Sequence, residues 1–244
     1  MLQKMKIILV AGGLGTRIKS ITKNNIPKCM IDINGKPLIQ HQIEFLRDKG
    51  YKKFILCIGY LGDGIKEYFG NGKKIGVAIE YSEEPLKLGT AGAVKLAEAK
   101  IETTCAVCYG DILTNVDLAK VIKFHNSIKS EFTVVVRKRT KGKKDSSFVE
   151  IKDNRIISFV EHPEFLIKEE GHINNSIYIM NKSIFQYIPK ETKYDFAKDL
   201  IPDLIKKGIN ICAYVSDDFF RELGRTEKYE KFKKEIKGKS SFFR

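Results

Sequence analysis

The sequence predicts an α/β fold with a mixed, mainly parallel sheet, helices on both faces and a small antiparallel annex. Two observations favour it. In the first half, apolar strand-like runs alternate with amphipathic helical stretches, which is typical of parallel strands joined by crossover helices. In the second half, short strands follow one another with turn residues between them, which indicates antiparallel pairing. The 244 residues can bury a large core and suit one domain.

The first half supplies the alternating elements. Apolar, strand-like segments predict strands over residues 5–10, 53–58, 76–81, 103–109 and 131–138. Amphipathic segments predict helices over residues 37–48, 62–69, 90–99 and 117–128. Pro37 fits the first turn of its helix, where no backbone N–H is needed, and Gly50 fits the end.

The second half is predicted to be the antiparallel annex. The segment FVEIKDNRIISFVEH (148–162) contains two short strands joined by an Asp-Asn turn, and HINNSIYIM (172–180) is a further strand. A helix is expected over 195–207, interrupted by Pro202 and ended by Gly208. The strand INICAYV (209–215) and a C-terminal helix near 225–237 follow.

Charge and cysteine content narrow the function classes. The net charge is +14, but the lysines are spread along the chain. This pattern favours a phosphorylated small molecule over nucleic acid. No apolar run approaches the about 20 residues of a membrane span, and the N-terminus lacks a signal-peptide pattern, so a cytoplasmic protein without a membrane partner is expected. Cys105 and Cys108 face opposite sides of a predicted strand and are expected to be core thiols.

The segment KIILVAGGLGTRIKSITKNNIPKCM (6–30) joins a strand to a glycine-rich turn. Backbone N–H groups in such a turn can bind phosphate, and glycines let it approach. The dinucleotide-binding fingerprint would need glycine at position 18, where the chain has Ile18. The G-x-x-x-x-G-K-[ST] loop is absent. Both common phosphate-binding motifs are therefore excluded.

The remaining pattern, A-G-G-x-G-T-R followed by P-K, resembles the signature of the sugar-1-phosphate nucleotidyltransferases. Five further segments occur in that family's order: LGTAGAV (88–94), YGDIL (109–113), VEHP (160–163), INNSIYIM (173–180) and FRELGRTEKY (220–229). The resemblance implies a Rossmann-like sheet in one domain. Residues 1–138 would form the nucleotide-binding half, and residues 139–244 the sugar-binding half with the C-terminal helix. LGTAGA most resembles the mannose- and heptose-1-phosphate guanylyltransferases.

The implied reaction transfers a nucleoside monophosphate from a nucleoside triphosphate, with GTP favoured, to a sugar 1-phosphate. The acceptor phosphate has a second pKa of about 6 and is already ionised at neutral pH, so no general base is required. Catalysis then needs positioning and cations. The resemblance places Arg17 against the β- and γ-phosphates and Lys28 near the reacting phosphates.

The resemblance also implies a magnesium site and two groups of binding residues. Asp111 and Glu222 would bind Mg²⁺, although the family usually has Asp at the second position, and Asp217 and Asp218 are nearby alternatives. The expected nucleotide-binding residues are Leu9, Ala11, Gly12, Gly13, Gly15, Thr16, Glu84, Gly89 and Thr90, of which Thr90 is also a plausible helix N-cap. The expected sugar-phosphate-binding residues are Gly110, Glu161, His162 and Asn174.

Departures from the family pattern cluster on the acceptor side. His162 stands where the family usually has Lys, and Ser147-Phe148 replaces Tyr-Gly. We therefore expect a narrow acceptor range that excludes glucose 1-phosphate and favours a heptose or modified hexose phosphate. Two alternatives stay open: a cytidylyltransferase for a phosphocholine-like substrate, and a non-catalytic nucleotide-sugar sensor. A homodimer is also left open.

Overall fold

The structure is a computed structural model that describes residues 5–139, 147–161 and 170–237. Its strands are β1 (Lys6–Val10), β2 (Asp32–Ile33), β3 (Lys36–Pro37), β4 (Lys53–Ile58), β5 (Ala78–Glu83), β6 (Thr104–Tyr109), β7 (Ile112–Thr114), β8 (Phe132–Lys138), β9 (Phe148–Lys152), β10 (Arg155–Val160), β11 (His172–Asn181), β12 (Ile211–Val215) and β13 (Phe220–Glu222). Its α-helices are α1 (Lys19–Thr22), α2 (Leu38–Asp48), α3 (Gly62–Phe69), α4 (Gly89–Lys95), α5 (Leu118–Ser127), α6 (Ile201–Lys206) and α7 (Thr226–Ile236). Within the described ranges, no helix has the length and hydropathy of a membrane span.

The chain forms two compact units, each built from separate segments. The first comprises Met1–Leu86, Cys108–Val116 and Asp218–Arg244, and the second comprises Lys87–Val107 and Asp117–Asp217. The C-terminal helix α7 therefore belongs to the same unit as the glycine-rich turn. The expected functional division at residue 138 concerns which ligand each half binds, and it stays a prediction.

The first unit is built on parallel strands in the order β5-β4-β1. Continuous β-branched and aliphatic runs form these strands, and Ile8 on β1 lies beside Ile55 on β4. Helix α7 packs its apolar face on the segments that flank the glycine turn. The shared core contains Ile18, Ile31, Ile33, Leu38, Leu113, Leu223, Tyr229, Phe232 and Ile236. The apolar face of α7 thus covers Ile18, Ile31 and Leu38, which follow the glycine-rich turn.

The second unit has a mixed sheet in the order β6-β11-β8-β12-β10-β9. Strand β8 pairs antiparallel with β11 and parallel with β12. The β9–β10 hairpin turns at Asp153 and Asn154, which have φ values of 49° and 65°. Two successive left-handed residues are what a tight hairpin turn requires. The predicted α/β class with a mixed sheet is confirmed.

Three of the differences from the expected bounds have a local cause. Strand β5 begins at Ala78 because Gly76, with φ of 73°, closes a short 3-10 turn first. The helix expected over 90–99 ends as α4 at Lys95, and a 3-10 turn follows at Glu98–Lys100. The helix expected over 195–207 begins as a π-turn (Phe196–Leu200), and Pro202 lies in the first turn of α6. Proline has no N–H for a continuing helical hydrogen bond, so a new helix starts around it.

The cysteine prediction is confirmed. Cys105 and Cys108 lie in β6 and are buried, and none of the five cysteines, all within the described residues, forms a disulfide. No group of three or more metal-binding side chains occurs among the residues that the structure describes.

Candidate active site

The glycine-rich turn leaves β1 at the edge where Glu84 lies. The Ala11 N–H donates to the carbonyl of Cys57 (2.8 Å), which continues the parallel pairing beyond β1. A Cβ at Gly12 would lie 2.5 Å from Glu84 Oε1 and 3.3 Å from the Gly59 nitrogen. Glycine at position 12 is therefore needed so that the Glu84 carboxylate can lie against the turn. Leu9 is fully buried, so any contact it makes with a nucleotide would come from its backbone.

The second part of the turn presents Arg17. Gly15 has φ of 62° and precedes a 3-10 turn over Thr16–Ile18. Ile18 is fully buried in the core that α7 covers, while Thr16 and Arg17 are exposed. The buried isoleucine anchors the turn and directs the neighbouring cation outward. Arg17 has no ion-pair partner among the described side chains. No atom lies within 4 Å of the Cβ position at Gly13. The turn is therefore accessible to an anion.

Lys28 reaches the same place from the Pro27-Lys28 pair. Pro27 precedes a 3-10 turn over Lys28–Met30, and Cys29 is buried beneath it. The side chain of Lys28 is only 16% exposed, and its Nζ forms an ion pair with Asp111 Oδ2. A Cβ at Gly15 would lie 3.3 Å from Lys28 Cβ, so the glycine turn and the lysine are in close packing.

Asp111 follows β6 at the end nearest β1. The Gly110 N–H donates to the carbonyl of Val10 (2.9 Å), and a Cβ at Gly110 would lie 3.2 Å from that same oxygen. Glycine thus permits the close approach that brings Asp111 beside the turn. Burial raises the pKa of the Cys29 thiol to about 12, and the nearby Asp111 carboxylate adds to this effect.

The short β7–β13 pair brings Glu222 to Asp111. Glu222 lies opposite Ile112, and the Leu223 N–H donates to the Asp111 carbonyl (3.0 Å). A Cβ at Gly224 would clash with Lys28 Nζ, Lys28 Cε and Glu222 Oε1. The Lys28 ammonium, which pairs with Asp111, therefore lies near Glu222 Oε1, so the expected positions 28, 111 and 222 come together in the first unit. Asp217 and Asp218, the alternatives to Glu222, are exposed.

This donor set fits a magnesium ion bound together with a triphosphate. Mg²⁺ prefers one or two carboxylates and takes its remaining ligands from phosphate oxygens and water. Asp111 and Glu222 supply that number of carboxylates, and the accessible glycine turn lies on the same unit. A site for a metal without nucleotide would need more protein ligands than these two.

In the second unit, the structure places Gly89 and Thr90 against the segment around Tyr194. Gly89 has φ of 72°, and its Cβ would lie 2.8 Å from the Tyr194 carbonyl oxygen. The Thr90 hydroxyl donates to Asp195 Oδ1 (3.1 Å) and accepts from the Phe196 N–H (3.0 Å). The N-cap expectation for Thr90 is wrong, because α4 already begins at Gly89 with Leu88 at its N-cap.

The expected acceptor-side residues are also in the second unit. Asn174 Oδ1 accepts from the Ser176 N–H (2.8 Å), and Nδ2 donates to the Tyr178 hydroxyl (2.9 Å). These bonds support a bulge in β11, where Ser176 has φ of 54°. The buried Ser147 hydroxyl accepts from the Asn174 N–H (2.9 Å), and Glu161 is half-buried after β10. His162 lies outside the described residues.

Two residues of this site were missed in the sequence. Gly224 is the close neighbour of Lys28 and Glu222, and Lys228 forms an ion pair with Glu222. The glycine in FRELG could have been found as part of the motif that supplies Glu222. Nothing in the sequence distinguished Lys228 as a site residue, because it lies in a helix that contains many lysines.

Comparison with known proteins identifies the family. The family model described as Nucleotidyl transferase matches residues 6–239. The chain belongs to the nucleotidyl transferase family. This membership makes the chain an enzyme of that class and agrees with the phosphate-binding turn, the lysine and the carboxylate pair of the first unit.

Two relatives of this nucleotidyl transferase match nearly end to end. The chain is 33% identical over 234 residues to a D-glycero-alpha-D-manno-heptose 1-phosphate guanylyltransferase from Aneurinibacillus thermoaerophilus, covering 95% of this chain and 98% of the relative. It is 33% identical over 228 residues to an enzyme of the same name from Campylobacter jejuni, covering 93% and 98%. The crystal structure of HddC from Yersinia pseudotuberculosis has a TM-score of 0.81 and 29% identity, covering 95% of this chain and 99% of that one. HddC complexed with GMP-PN gives a TM-score of 0.78.

Proposed function

We propose that this nucleotidyl transferase transfers GMP from GTP to a heptose 1-phosphate or a close analogue, releasing pyrophosphate and forming a GDP-sugar. The observation that carries the reaction type is the convergence of Lys28, Asp111 and Glu222 beside the glycine-rich turn. The relatives named as heptose 1-phosphate guanylyltransferases and the GMP-PN complex of HddC support the choice of substrates.

The chemistry requires charge neutralisation rather than proton transfer. The acceptor phosphate is ionised near neutral pH and can attack the α-phosphorus directly, while pyrophosphate leaves. Arg17 would bind the outer phosphates and Lys28 the reacting ones, since both can present an ammonium or guanidinium to the turn. Asp111 and Glu222 would hold Mg²⁺, which neutralises phosphate charge when bound. The backbone of Gly12, Gly13 and Gly15 would cradle the phosphates.

Glu84 supports guanine as the base. An ionised carboxylate only accepts hydrogen bonds, and guanine presents two adjacent donors, N1–H and the exocyclic amino group. Uracil and thymine place a carbonyl oxygen next to their one N–H, so they would meet repulsion at one oxygen. Glu84 is half-buried beside Gly12, on the unit that carries the phosphate-binding turn. The role of Gly89 toward the base stays a prediction.

Pyrophosphate release with four nucleoside triphosphates and a panel of acceptors tests the proposal. The panel contains heptose, mannose and glucose 1-phosphates and phosphocholine. We expect turnover with GTP and heptose 1-phosphate, and none with glucose 1-phosphate. Turnover of CTP with phosphocholine would instead establish the cytidylyltransferase. Nucleotide-sugar binding without turnover on any acceptor would establish a sensor.

Variants test the separate roles. Glu84→Gln should reduce the preference for GTP by about 10- to 100-fold, the size of a lost bidentate base contact. Glu83→Gln is the matched control, because Glu83 is exposed and paired with Lys66. Lys28→Ala and Arg17→Ala should each lower turnover by about 100- to 1,000-fold. Asp111→Asn should raise the Mg²⁺ requirement steeply, because an amide binds a hard cation weakly.

The location and assembly are part of the proposal. Five buried cysteines, none of them in a disulfide, suit a reducing compartment, so we propose that the enzyme is cytoplasmic. The homodimer stays a prediction, which analytical ultracentrifugation would test.

A further inference from the structure

The carboxylate of Glu222 is held on both of its oxygens by groups of the chain itself. Oε1 accepts from the Gly224 N–H (2.9 Å), and Oε2 forms an ion pair with Lys228 Nζ. The Glu222 side chain is 26% exposed, whereas that of Lys228 is 52% exposed. The ammonium therefore reaches the carboxylate from the solvent side.

The position of Lys228 in its helix is unfavourable for helix stability. It is the third residue of α7, which begins at Thr226. The amino-terminal turn of a helix carries partial positive charge, so a cation there is repelled while Glu227 is favoured. The ion pair with Glu222 offsets this repulsion. The favourable electrostatic contact of Lys228 is therefore the ion pair with Glu222, and not an interaction within its own helix.

The two carboxylates of the candidate metal site are each matched by one lysine. Lys28 pairs with Asp111 Oδ2, and Lys228 pairs with Glu222 Oε2. Two negative and two positive charges leave this cluster with no net charge to attract a lone divalent cation. A carboxylate oxygen that faces an ammonium is also unavailable as a ligand until that ammonium moves away.

We propose that Lys228 is a positioning residue that competes with the divalent cation for Glu222. This inference rests on the proposed metal-dependent function. Lys228 keeps the affinity for free metal low, so the cation binds together with the triphosphate. The negative charge of the triphosphate attracts the cation and so favours metal over Lys228 at Glu222. The half-exposed side chain of Lys228 can then withdraw into solvent. Lys28 has a different part, because it is largely buried and faces the reacting phosphates.

The test is binding of Mn²⁺ in the absence of nucleotide, followed by electron paramagnetic resonance of the free ion. Lys228→Gln should bind Mn²⁺ about threefold to fivefold more tightly than wild type, the size expected when a half-exposed ion pair no longer has to be broken before the metal binds. Lys231→Gln is the matched control, because Lys231 is exposed on the same helix and the change in net charge is identical. Its Mn²⁺ affinity should remain that of wild type.

A second comparison shows whether the effect passes through Glu222. In a Glu222→Gln background, Lys228→Gln should no longer change Mn²⁺ affinity, because the carboxylate for which lysine and metal compete is gone. Unchanged or weaker Mn²⁺ binding by Lys228→Gln, with its unfolding midpoint intact, would overturn the proposal. Equal gains in Lys228→Gln and Lys231→Gln would overturn it too. The Mn²⁺ result does not depend on which nucleotide or acceptor is used, so it is separable from failure of the proposed substrates.

Discussion

Gly224→Ala should lower turnover by about 100-fold while leaving the fold intact. A Cβ at this position would overlap Lys28 Nζ, Lys28 Cε and Glu222 Oε1, whereas ordinary contact begins at 3.4 Å. The atoms in conflict are the far ends of flexible side chains, so they can move without disturbing the backbone. Lys28 must then shift by roughly 1 Å, and a misplacement of that size costs about 100-fold in turnover.

The stability of this variant should stay near wild type. Replacing glycine by alanine reduces the freedom of the unfolded chain, which stabilises by about 0.4–1 kcal/mol and offsets part of the displacement cost. The assay is kcat from pyrophosphate release, together with the thermal unfolding midpoint. Gly64→Ala is the control, since Gly64 lies in α3 with nothing within 4 Å of its Cβ position. Gly64→Ala should retain full turnover.

A double variant isolates the cause. If Gly224→Ala acts by displacing Lys28, then Lys28→Ala/Gly224→Ala should be no slower than Lys28→Ala alone. Multiplied losses in the double variant would refute this reasoning. Wild-type turnover in Gly224→Ala would refute it as well, because Lys28 could then leave its position beside Asp111 without consequence.

Three further predictions concern stability and reactivity. Ser176→Gly should raise the free energy of unfolding by about 0.5–1 kcal/mol, because relieving a left-handed backbone outweighs the added freedom of glycine in the unfolded chain. Urea unfolding measures this change. A lower free energy of unfolding would contradict backbone strain at Ser176, whose φ is 54°. Burial lowers the pKa of His125, His41 and His172 below 6.5. The unfolded chain then binds more protons, so stability should hold above pH about 6.5 and fall as the pH drops below it; equal urea midpoints at about pH 7.5 and 5.5 would argue against this. Cys29, whose pKa burial raises to about 12, should resist iodoacetamide in the native protein and react only on unfolding, as mass spectrometry of the labelled peptide would show.

The elements that the sequence predicted well have strong local signals. Strand β4 and helix α3 match their expected bounds because continuous apolar runs and flanking glycines act over short distances. The positions of Lys28 and Asp111 could also be predicted from the sequence, because each follows a proline or glycine that shapes the backbone at the end of a strand or turn.

The remaining features depend on contacts between distant parts of the chain. The β7–β13 pair joins two three-residue strands more than a hundred positions apart, and segments that short have no periodicity to detect. Asn174 resembles a residue available to a sugar, yet both polar atoms of its side chain support the β11 bulge. Its role toward the acceptor stays a prediction. Likewise, nothing in a lysine-rich helix distinguishes Lys228 until Glu222 is placed beside it.

The segment order of the first unit has a consequence for synthesis on the ribosome. The glycine turn emerges first and Asp111 next, but Glu222 and α7 emerge only after the whole second unit has been made. Until then, Ile18, Ile31 and Leu38 lack the apolar cover that α7 provides. The nascent chain therefore exposes an apolar surface through most of its translation, and chaperones that bind such surfaces have time to act on it. Glu222, one of the two carboxylates proposed to hold Mg²⁺, therefore reaches Asp111 only after the second unit has been synthesised.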